Sequence, residues 1–177
     1  SEASFRINFG FDSDSGKVTI EGDSGYLITD STIYAVSLAT GDEQWQFSGE
    51  FSFLQRVTEG TVYIQDSPPS GSLKGLDPQM GEEELLIESE LSATRVTSEA
   101  AYVVDNSGTI SRFNNTNATE QWSTSYGQRA PNELNEIYEI TDTAVYASVN
   151  GIPRKVDANT GEKIWSLASM SSRPRSA

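Results

Sequence analysis

Short apolar runs separated by polar turns follow one another along almost the whole chain. The clearest example, residues 32–47, consists of an apolar strand, a turn that contains Gly41, and a second strand that carries Trp45. Gly41 suits a turn position with positive φ, and the Thr and Asp beside it can bond to turn amides. This stretch therefore predicts a β-hairpin with an aromatic residue on its second strand.

The same unit occurs four times. Each copy has one anchor residue on its last strand, and the four anchors are Trp45, Leu85, Trp122 and Trp165. Nine residues before each anchor lies an apolar residue: Val36, Leu76, Phe113 and Val156. Four residues before the anchor, three copies have glycine, whereas the third has Ala118. A period near forty residues with several strands in each period is typical of β-propeller blades.

The pattern predicts an all-β protein, because no stretch shows a sustained helical period. Four blades of four antiparallel strands each are expected at about residues 17–47, 51–87, 93–123 and 136–167. We assign all four to a single domain over residues 1–168. Alternating apolar residues over 5–11 predict one further strand before the first blade, and residues 169–177 form a polar tail.

The fourth copy carries the most complete pattern: Val145 and Tyr146 open a strand, and Asp157-Ala-Asn-Thr-Gly-Glu-Lys-Ile-Trp165 closes the unit. It resembles the PQQ-like (pyrroloquinoline-quinone-type) propeller repeat, and this resemblance covers about residues 17–168. The resemblance implies a small propeller closed within one chain, or half of an eight-bladed ring. In such blades the anchor aromatics fill the space between neighbouring blades. Trp165 is therefore expected to be buried.

The PQQ-like family contains both quinoprotein dehydrogenases and cofactor-free interaction propellers. The resemblance implies that an enzyme of the family needs a bound cation, an Asp base beside the quinone, and a vicinal disulfide. The chain has no cysteine, and Asp77 and Asp157 match the structural Asp of the repeat rather than the catalytic one. We assign no catalytic or cofactor-binding residue and predict a non-catalytic binding scaffold. A degenerate quinoprotein or a metal-dependent, sugar-acting propeller enzyme is the alternative.

One acidic segment resembles the start of a calcium loop. Asp12 and Asp14 would be the metal ligands, because carboxylates at the first and third positions suit a hard cation. The glycine comes one place early for an EF-type loop, and Asp23 stands where that loop has Glu. A solvated acidic turn is therefore the favoured interpretation. Asn114 and Asn117 begin two glycosylation sequons, which matter only if the protein is exported.

The net charge of the chain limits the classes of partner that it can bind. The chain has 26 acidic and 12 basic residues, a formal net charge of −14, and no histidine. Such an acidic excess predicts a protein from a high-salt environment, because salt screens the repulsion while carboxylates keep the surface hydrated. An ordinary acidic domain is the alternative. The absence of a basic stripe argues against nucleic acid, and no apolar run is long enough to span a membrane.

These observations predict a protein partner or a small ligand on the loop faces of the blades. We expect an extracellular or cell-envelope location, with the cytoplasm of a halophile as the alternative. The chain starts at Ser1 rather than Met, which indicates a processed product or a cut piece. A half-ring would expose apolar faces on its first and last blades, so a homodimer that closes the ring is a further expectation.

Overall fold

The computed structural model describes residues 17–28, 31–49, 51–58, 60–66, 71–88, 90–127 and 134–167. All regular elements in these residues are β-strands, and they form four four-stranded antiparallel sheets, which confirms the predicted fold class. Consecutive strands are neighbours in every sheet, so each sheet is an up-and-down meander. We name the sheets blades 1 to 4 in chain order.

The chain divides into two compact units, residues 1–90 and residues 91–177. Blades 1 and 2 belong to the first unit, and their strands are β1 (Lys17–Glu21), β2 (Ser24–Ile28), β3 (Thr32–Ser37), β4 (Glu43–Ser48), β5 (Phe51–Thr58), β6 (Thr61–Asp66), β7 (Leu73–Leu76) and β8 (Glu83–Ile87). Blades 3 and 4 belong to the second unit, and their strands are β9 (Leu91–Val96), β10 (Ala100–Asp105), β11 (Thr109–Asn114), β12 (Glu120–Ser125), β13 (Glu136–Ile140), β14 (Ala144–Val149), β15 (Ile152–Asp157) and β16 (Lys163–Ser166).

Some predictions concern residues outside the described ranges. These are the strand over residues 5–11, the candidate metal ligands Asp12 and Asp14, and the polar tail over residues 169–177. The single domain over residues 1–168 also stays a prediction. None of the described residues forms a helix of the length and apolar character needed to cross a bilayer.

The two outer strands of every blade are paired in the same register. The anchors pair one residue before the predicted apolar positions: Ala35 with Trp45, Gly75 with Leu85, Arg112 with Trp122, and Lys155 with Trp165. The register shifts directly after each of these four pairs, so a bulge recurs at the same point of every repeat. The pairing thus confirms the alignment of the four copies that the sequence predicted.

The turn between the outer strands has one geometry throughout. The N–H of Gly41, Gly81 and Gly161 donates to the carbonyl four residues earlier, at 2.8, 2.9 and 3.0 Å. Their φ angles are 79°, 71° and 73°. Ala118 takes φ 54° at the same place, and its N–H donates to the Asn114 carbonyl at 3.0 Å. The third copy therefore keeps the turn without glycine, at a cost of about 1–2 kcal/mol for the left-handed residue.

Aspartate side chains close the turns of blades 2 and 4. The Oδ1 atom of Asp77 accepts bonds from the N–H groups two and three residues further on, both at 2.7 Å. Asp157 accepts the same two bonds from Asn159 and Thr160, both at 2.9 Å. These backbone donors hold the pKa of Asp157 below its usual value, because they stabilise the charged carboxylate. Both aspartates act within the turn, in agreement with the structural role that the resemblance implied.

Each unit has a hydrophobic core made by both of its blades. The core of the first unit contains Tyr26, Ile33, Ala35, Trp45, Val57, Val62, Ile64 and Leu76. The core of the second unit contains Ala100, Tyr102, Val104, Ile110, Trp122, Ile137, Val145, Ala147, Val149, Val156 and Ala158. In both units, blade-to-blade packing therefore buries the apolar faces that a single sheet would leave in water.

Candidate binding surfaces

The indole of Trp45 packs on the outer turn of blade 2. Its Nε1–H donates to the Pro78 carbonyl at 2.9 Å, and only 7% of the residue is exposed. A Cβ atom placed on Gly81 would lie 2.5 Å from Cε3 of the indole, which is closer than real Cβ atoms come. Glycine at this position thus supplies both the positive φ and the room for the ring.

Trp122 makes the same contact with blade 4. Its Nε1–H donates to the Ala158 carbonyl at 3.0 Å, and a Cβ on Gly161 would lie 2.5 Å from its Cε3. The Tyr102 ring lies 6.1 Å away, centre to centre, at a tilt of 58°. The hydroxyl of Thr124 adds a bond of 2.7 Å to the Gly161 carbonyl. We call this arrangement of indole, turn carbonyl and turn glycine the tryptophan–turn contact.

The third tryptophan does not make this contact within the described residues. Trp165 is 40% exposed, so the expectation that it is buried is wrong. Leu167, two residues further on, is 58% exposed. In blades 1 and 3 the anchor is covered by the turn of the following blade, whereas blade 4 is the last blade that the structure describes. Trp165 has the same strand pairing as Trp122, so the two residues differ in what covers them among the described residues and not in local strand geometry.

A polar pocket of about 150 Å³ opens between blades 3 and 4. Two similar turns form much of its wall. In each, a threonine hydroxyl bonds to both the carbonyl and the N–H of an alanine: Thr97 with Ala100 at 3.0 and 3.1 Å, and Thr141 with Ala144 at 3.2 and 3.1 Å. The full lining consists of Thr97, Ser98, Glu99, Tyr102, Arg112, Ile140, Thr141, Asp142 and Asn159.

Arg112 places a cation in the wall of this pocket. Its guanidinium carbon lies 5.7 Å from the centre of the Tyr102 ring, and Nη1 lies 3.5 Å from Oδ1 of Asn159. Its Nε is buried and bonds to no acceptor among the described residues. A guanidinium has five N–H donors in a fixed plane, so Arg112 retains donors for an acceptor that a ligand would bring.

Two carboxylates bring negative charge to the same pocket as the Arg112 cation. Glu99 and Asp142 line the pocket and are both exposed. Burial raises the pKa of Tyr102, against the opposing effect of Arg112, so its hydroxyl stays neutral at ordinary pH. The Tyr102 hydroxyl donates to the Ala158 carbonyl at 3.5 Å, so the pocket offers a ligand two anionic groups and the hydrogen-bond donors of Arg112. Sequence reasoning missed this site because its residues come from three separate turns and three strands and form no motif.

Asp12 and Asp14 as weak candidate metal ligands, and the two glycosylation sequons, stay expectations from the sequence. Among the described residues, no three His, Cys, Asp or Glu side chains come close enough together to hold a metal ion. Asn114 and Asn117 lie on the turn between β11 and β12, where Asn117 is exposed and Asn114 is half-buried. The Oδ1 atom of Asn114 accepts the Thr116 N–H at 2.8 Å, so its side chain is engaged in the turn.

A protein-family profile described as outer membrane protein assembly factor BamB, of the PQQ-like repeat class, matches residues 29–177. The chain belongs to this family. The match confirms the resemblance that the repeats carry. No curated protein sequence matches the chain.

Solved structures of propellers are similar to the BamB-like chain. BamB from Moraxella catarrhalis is 18% identical, with a TM-score of 0.65 over 88% of this chain and 50% of its own. A chain in the S. cerevisiae complex of Dbp5 bound to Nup159, Gle1, IP6 and ADP is 16% identical, with a TM-score of 0.66 over 84% of this chain and 46% of its own. The quinohemoprotein alcohol dehydrogenase ADHIIG from Pseudomonas putida HK5 is 12% identical, with a TM-score of 0.64 over 86% of this chain and 34% of its own.

The BamB-like chain spans half or less of the length of these structures. At such low identity the likeness shows the fold alone. The family and the fold include both a protein described as an assembly factor and one described as a dehydrogenase. Membership therefore leaves the choice between binding and catalysis to the residues of the chain itself.

Proposed function

We propose that the chain is a non-catalytic scaffold that binds a basic segment of a protein partner in the pocket between blades 3 and 4. The observation that carries this proposal is the presence of Glu99, Asp142 and Arg112 in one pocket. The two carboxylates attract a lysine or arginine side chain of the partner. The guanidinium of Arg112 donates to a main-chain carbonyl of the same segment.

The overall charge supports a basic partner. With a formal net charge of −14, the surface of the chain is complementary in charge to a basic partner at short range. Lys74 pairs with Asp66 at 3.1 Å and with Glu83 at 3.9 Å. No other pair of described residues brings a carboxylate within 4.0 Å of a lysine or arginine nitrogen. Most described carboxylates are therefore not neutralised by a direct ion pair.

The similar proteins give a general precedent for a propeller of this fold that takes part in a protein assembly. The family profile is described as that of an assembly factor, and one similar chain comes from a complex of Dbp5 with Nup159. Propellers of this fold thus occur in protein assemblies, which agrees with a scaffold role for this chain. The proposal itself depends on the pocket and its charges.

Peptide selection tests the pocket directly. We would select peptides from a random library on the wild-type chain and measure their affinity for Glu99→Gln/Asp142→Asn. The matched control is Glu84→Gln/Glu88→Gln, which removes the same charge from exposed residues of the first unit. We expect lysine- or arginine-rich peptides whose binding falls roughly tenfold in the pocket variant, the loss of one charge-assisted contact. Equal affinity for both variants would refute the pocket as the binding site.

The non-catalytic part of the proposal has its own test. A ligand that binds the folded state raises the unfolding midpoint by mass action. We expect pyrroloquinoline quinone with calcium to leave the midpoint unchanged. A rise that depends on both additives would favour the quinoprotein alternative instead.

We also propose that the protein works in high salt, outside the cell or in its envelope. The acidic surface supports this, because carboxylates hold water when salt competes for it. The envelope location agrees with the family's description as an outer membrane assembly factor. Stability as a function of salt concentration, treated in the Discussion, tests the first part.

A further inference from the structure

A buried arginine lies between blades 3 and 4. Arg154, on β15, is only 8% exposed, and its guanidinium carbon lies 4.0 Å from the centre of the ring of Tyr126, which directly follows β12. Neither residue lines the pocket of the proposed function. We infer that these two side chains hold a small monovalent anion of the size of chloride inside the second unit. This inference goes beyond the proposed function, because it involves neither the pocket nor a protein partner.

The positive charge of Arg154 has no counterion among the described residues. None of their carboxylates lies within 4.0 Å of its nitrogens, because the ion pairs that these residues form are those of Lys74. Burial lowers the pKa of Arg154, but a guanidinium does not lose its proton in proteins. A buried charge is costly unless an opposite charge and hydrogen bonds compensate it. The site therefore favours an anion over a neutral water molecule.

Both side chains also have a buried donor that the protein leaves unused. Nε of Arg154 and the hydroxyl oxygen of Tyr126 are buried and have no hydrogen-bond partner among the described residues. Burial raises the pKa of Tyr126, against the opposing effect of Arg154, so the hydroxyl keeps its proton and can donate. Because the guanidinium lies against the ring, one ion can lie beside both groups and accept from both. An anion only accepts hydrogen bonds, which suits two donors.

The occupant is a small ion because both donor atoms are already covered. A further segment of protein could reach them only if the residues that cover them moved apart, and this holds whatever lies beyond the described residues. An ion of about the size of a water molecule needs no such opening. Internal spaces of that size are ordinary, since globular proteins hold about one buried water per 27 residues. A bulky organic anion is excluded by the same burial.

Thermal unfolding at constant ionic strength tests for the ion. Sodium gluconate is replaced stepwise by sodium chloride at one molar ionic strength, so the screening of surface charge stays constant. By mass action, we expect the wild-type midpoint to rise by equal steps for each tenfold increase of chloride above its dissociation constant. Bromide, which has the same charge and a similar size, should act in the same way. A midpoint that does not respond to the exchange would overturn the inference, because water would then occupy the site.

Three variants assign the effect to these side chains. Arg154→Gln should abolish the response to chloride. Tyr126→Phe keeps the cation but removes the O–H donor, so chloride should bind roughly tenfold more weakly, the loss of one hydrogen bond to a charged group. Lys155→Gln is the matched control: Lys155 is the adjacent cation, and its Nζ lies 5.4 Å from the centre of the Tyr146 ring, but it is not a buried atom that lacks a partner. Equal responses in Arg154→Gln and Lys155→Gln would refute the site.

A direct measurement covers the case in which Arg154→Gln does not fold. Wild-type crystals soaked in sodium bromide are expected to show an anomalous scattering peak within hydrogen-bonding distance of both Nε of Arg154 and the Tyr126 hydroxyl. The absence of a peak at this place would refute the anion site, even if chloride raised the midpoint, because the stabilisation would then arise elsewhere.

Discussion

Replacing Trp122 by alanine should destabilise the second unit far more than replacing Trp165 by alanine. The two residues occupy the same place in their repeats and pair in the same register. They differ in what covers them: Trp122 lies on the turn of blade 4, whereas the structure describes no blade after Trp165. The comparison therefore measures the tryptophan–turn contact with the local strand geometry held constant.

The magnitude follows from the burial of each side chain. Trp122 is 8% exposed, and truncating a buried tryptophan costs about 3–5 kcal/mol. That figure includes the cavity beside Gly161 and the loss of the Tyr102 contact. Trp165 is 40% exposed. Burying a large apolar side chain completely stabilises by about 1.5–3 kcal/mol, so its partial burial contributes about 1–2 kcal/mol. The difference between the variants should be about 2–3 kcal/mol.

A third variant separates the hydrogen bond from the packing. Trp122→Phe keeps an aromatic ring on the turn but removes the Nε1 donor. The Ala158 carbonyl then loses its bond of 3.0 Å but keeps the longer bond of 3.5 Å from the Tyr102 hydroxyl, so the change in hydrogen bonding costs about 0.5–1.5 kcal/mol. Trp122→Phe should therefore fall between the wild type and Trp122→Ala.

Urea unfolding followed by far-ultraviolet circular dichroism provides the measurement. All variants are compared in the same molar salt and at a low protein concentration, so that association between copies does not contribute to the midpoint. Equal loss of stability in Trp122→Ala and Trp165→Ala would refute the reasoning, because it would mean that the turn of blade 4 adds nothing to the burial of Trp122.

Three further predictions concern salt, steric fit and acid. The unfolding midpoint should rise steadily from low to molar KCl, because the screening length falls from about 30 Å at 0.01 M to about 3 Å at 1 M; a flat or falling curve would contradict the high-salt proposal. Gly161→Ala should destabilise more than Gly22→Ala in thermal unfolding, since both strain φ but only Gly161 lies under an indole; equal effects would count against the close approach. The pKa of Asp157 is lowered, so its contribution to stability is present above the ordinary value of 3.8 and is lost as the pH falls through the lower folded pKa. Asp157→Asn should therefore be less stable at pH 7 but lose less stability than the wild type on acidification, and parallel pH curves would contradict this.

The fold was predictable because its signals are local. A strand shows its alternation within five or six residues, and a turn glycine lies at a fixed distance from its anchor. Trp45 and Trp122 could thus be aligned with Leu85, and the four sheets followed from the alignment. The turn of the third copy survives with Ala118 in place of glycine, because the same two backbone bonds close it: Ala118 N–H donates to the Asn114 carbonyl, and Asn114 N–H donates to the Thr119 carbonyl.

The exposure of Trp165 and the pocket around Arg112 could not be predicted from the sequence, because both depend on which residues are neighbours in space. Trp165 has the same sequence context as Trp122, yet its burial is decided by whether another turn follows, which no residue of its own repeat encodes. Arg112 lies in a strand whose pattern predicts only alternation. Its place beside Glu99 and Asp142 arises from the packing of blade 4 on blade 3, and no spacing rule connects turns in different blades.

The tryptophan–turn contact gives the repeat array a direction. Within each unit the first anchor, Trp45 or Trp122, packs on the glycine turn of the following blade, so each of these two junctions consists of one indole and one glycine turn in the same order. Duplication or deletion of a whole two-blade unit by recombination would carry its indole and its glycine turn together and leave that junction chemically intact. A crossover within a repeat would leave one blade without its outer strand and another without its partner. Evolution can therefore change the number of two-blade units in such a protein without inventing a new tryptophan–turn contact, provided that the boundaries of recombination lie between units.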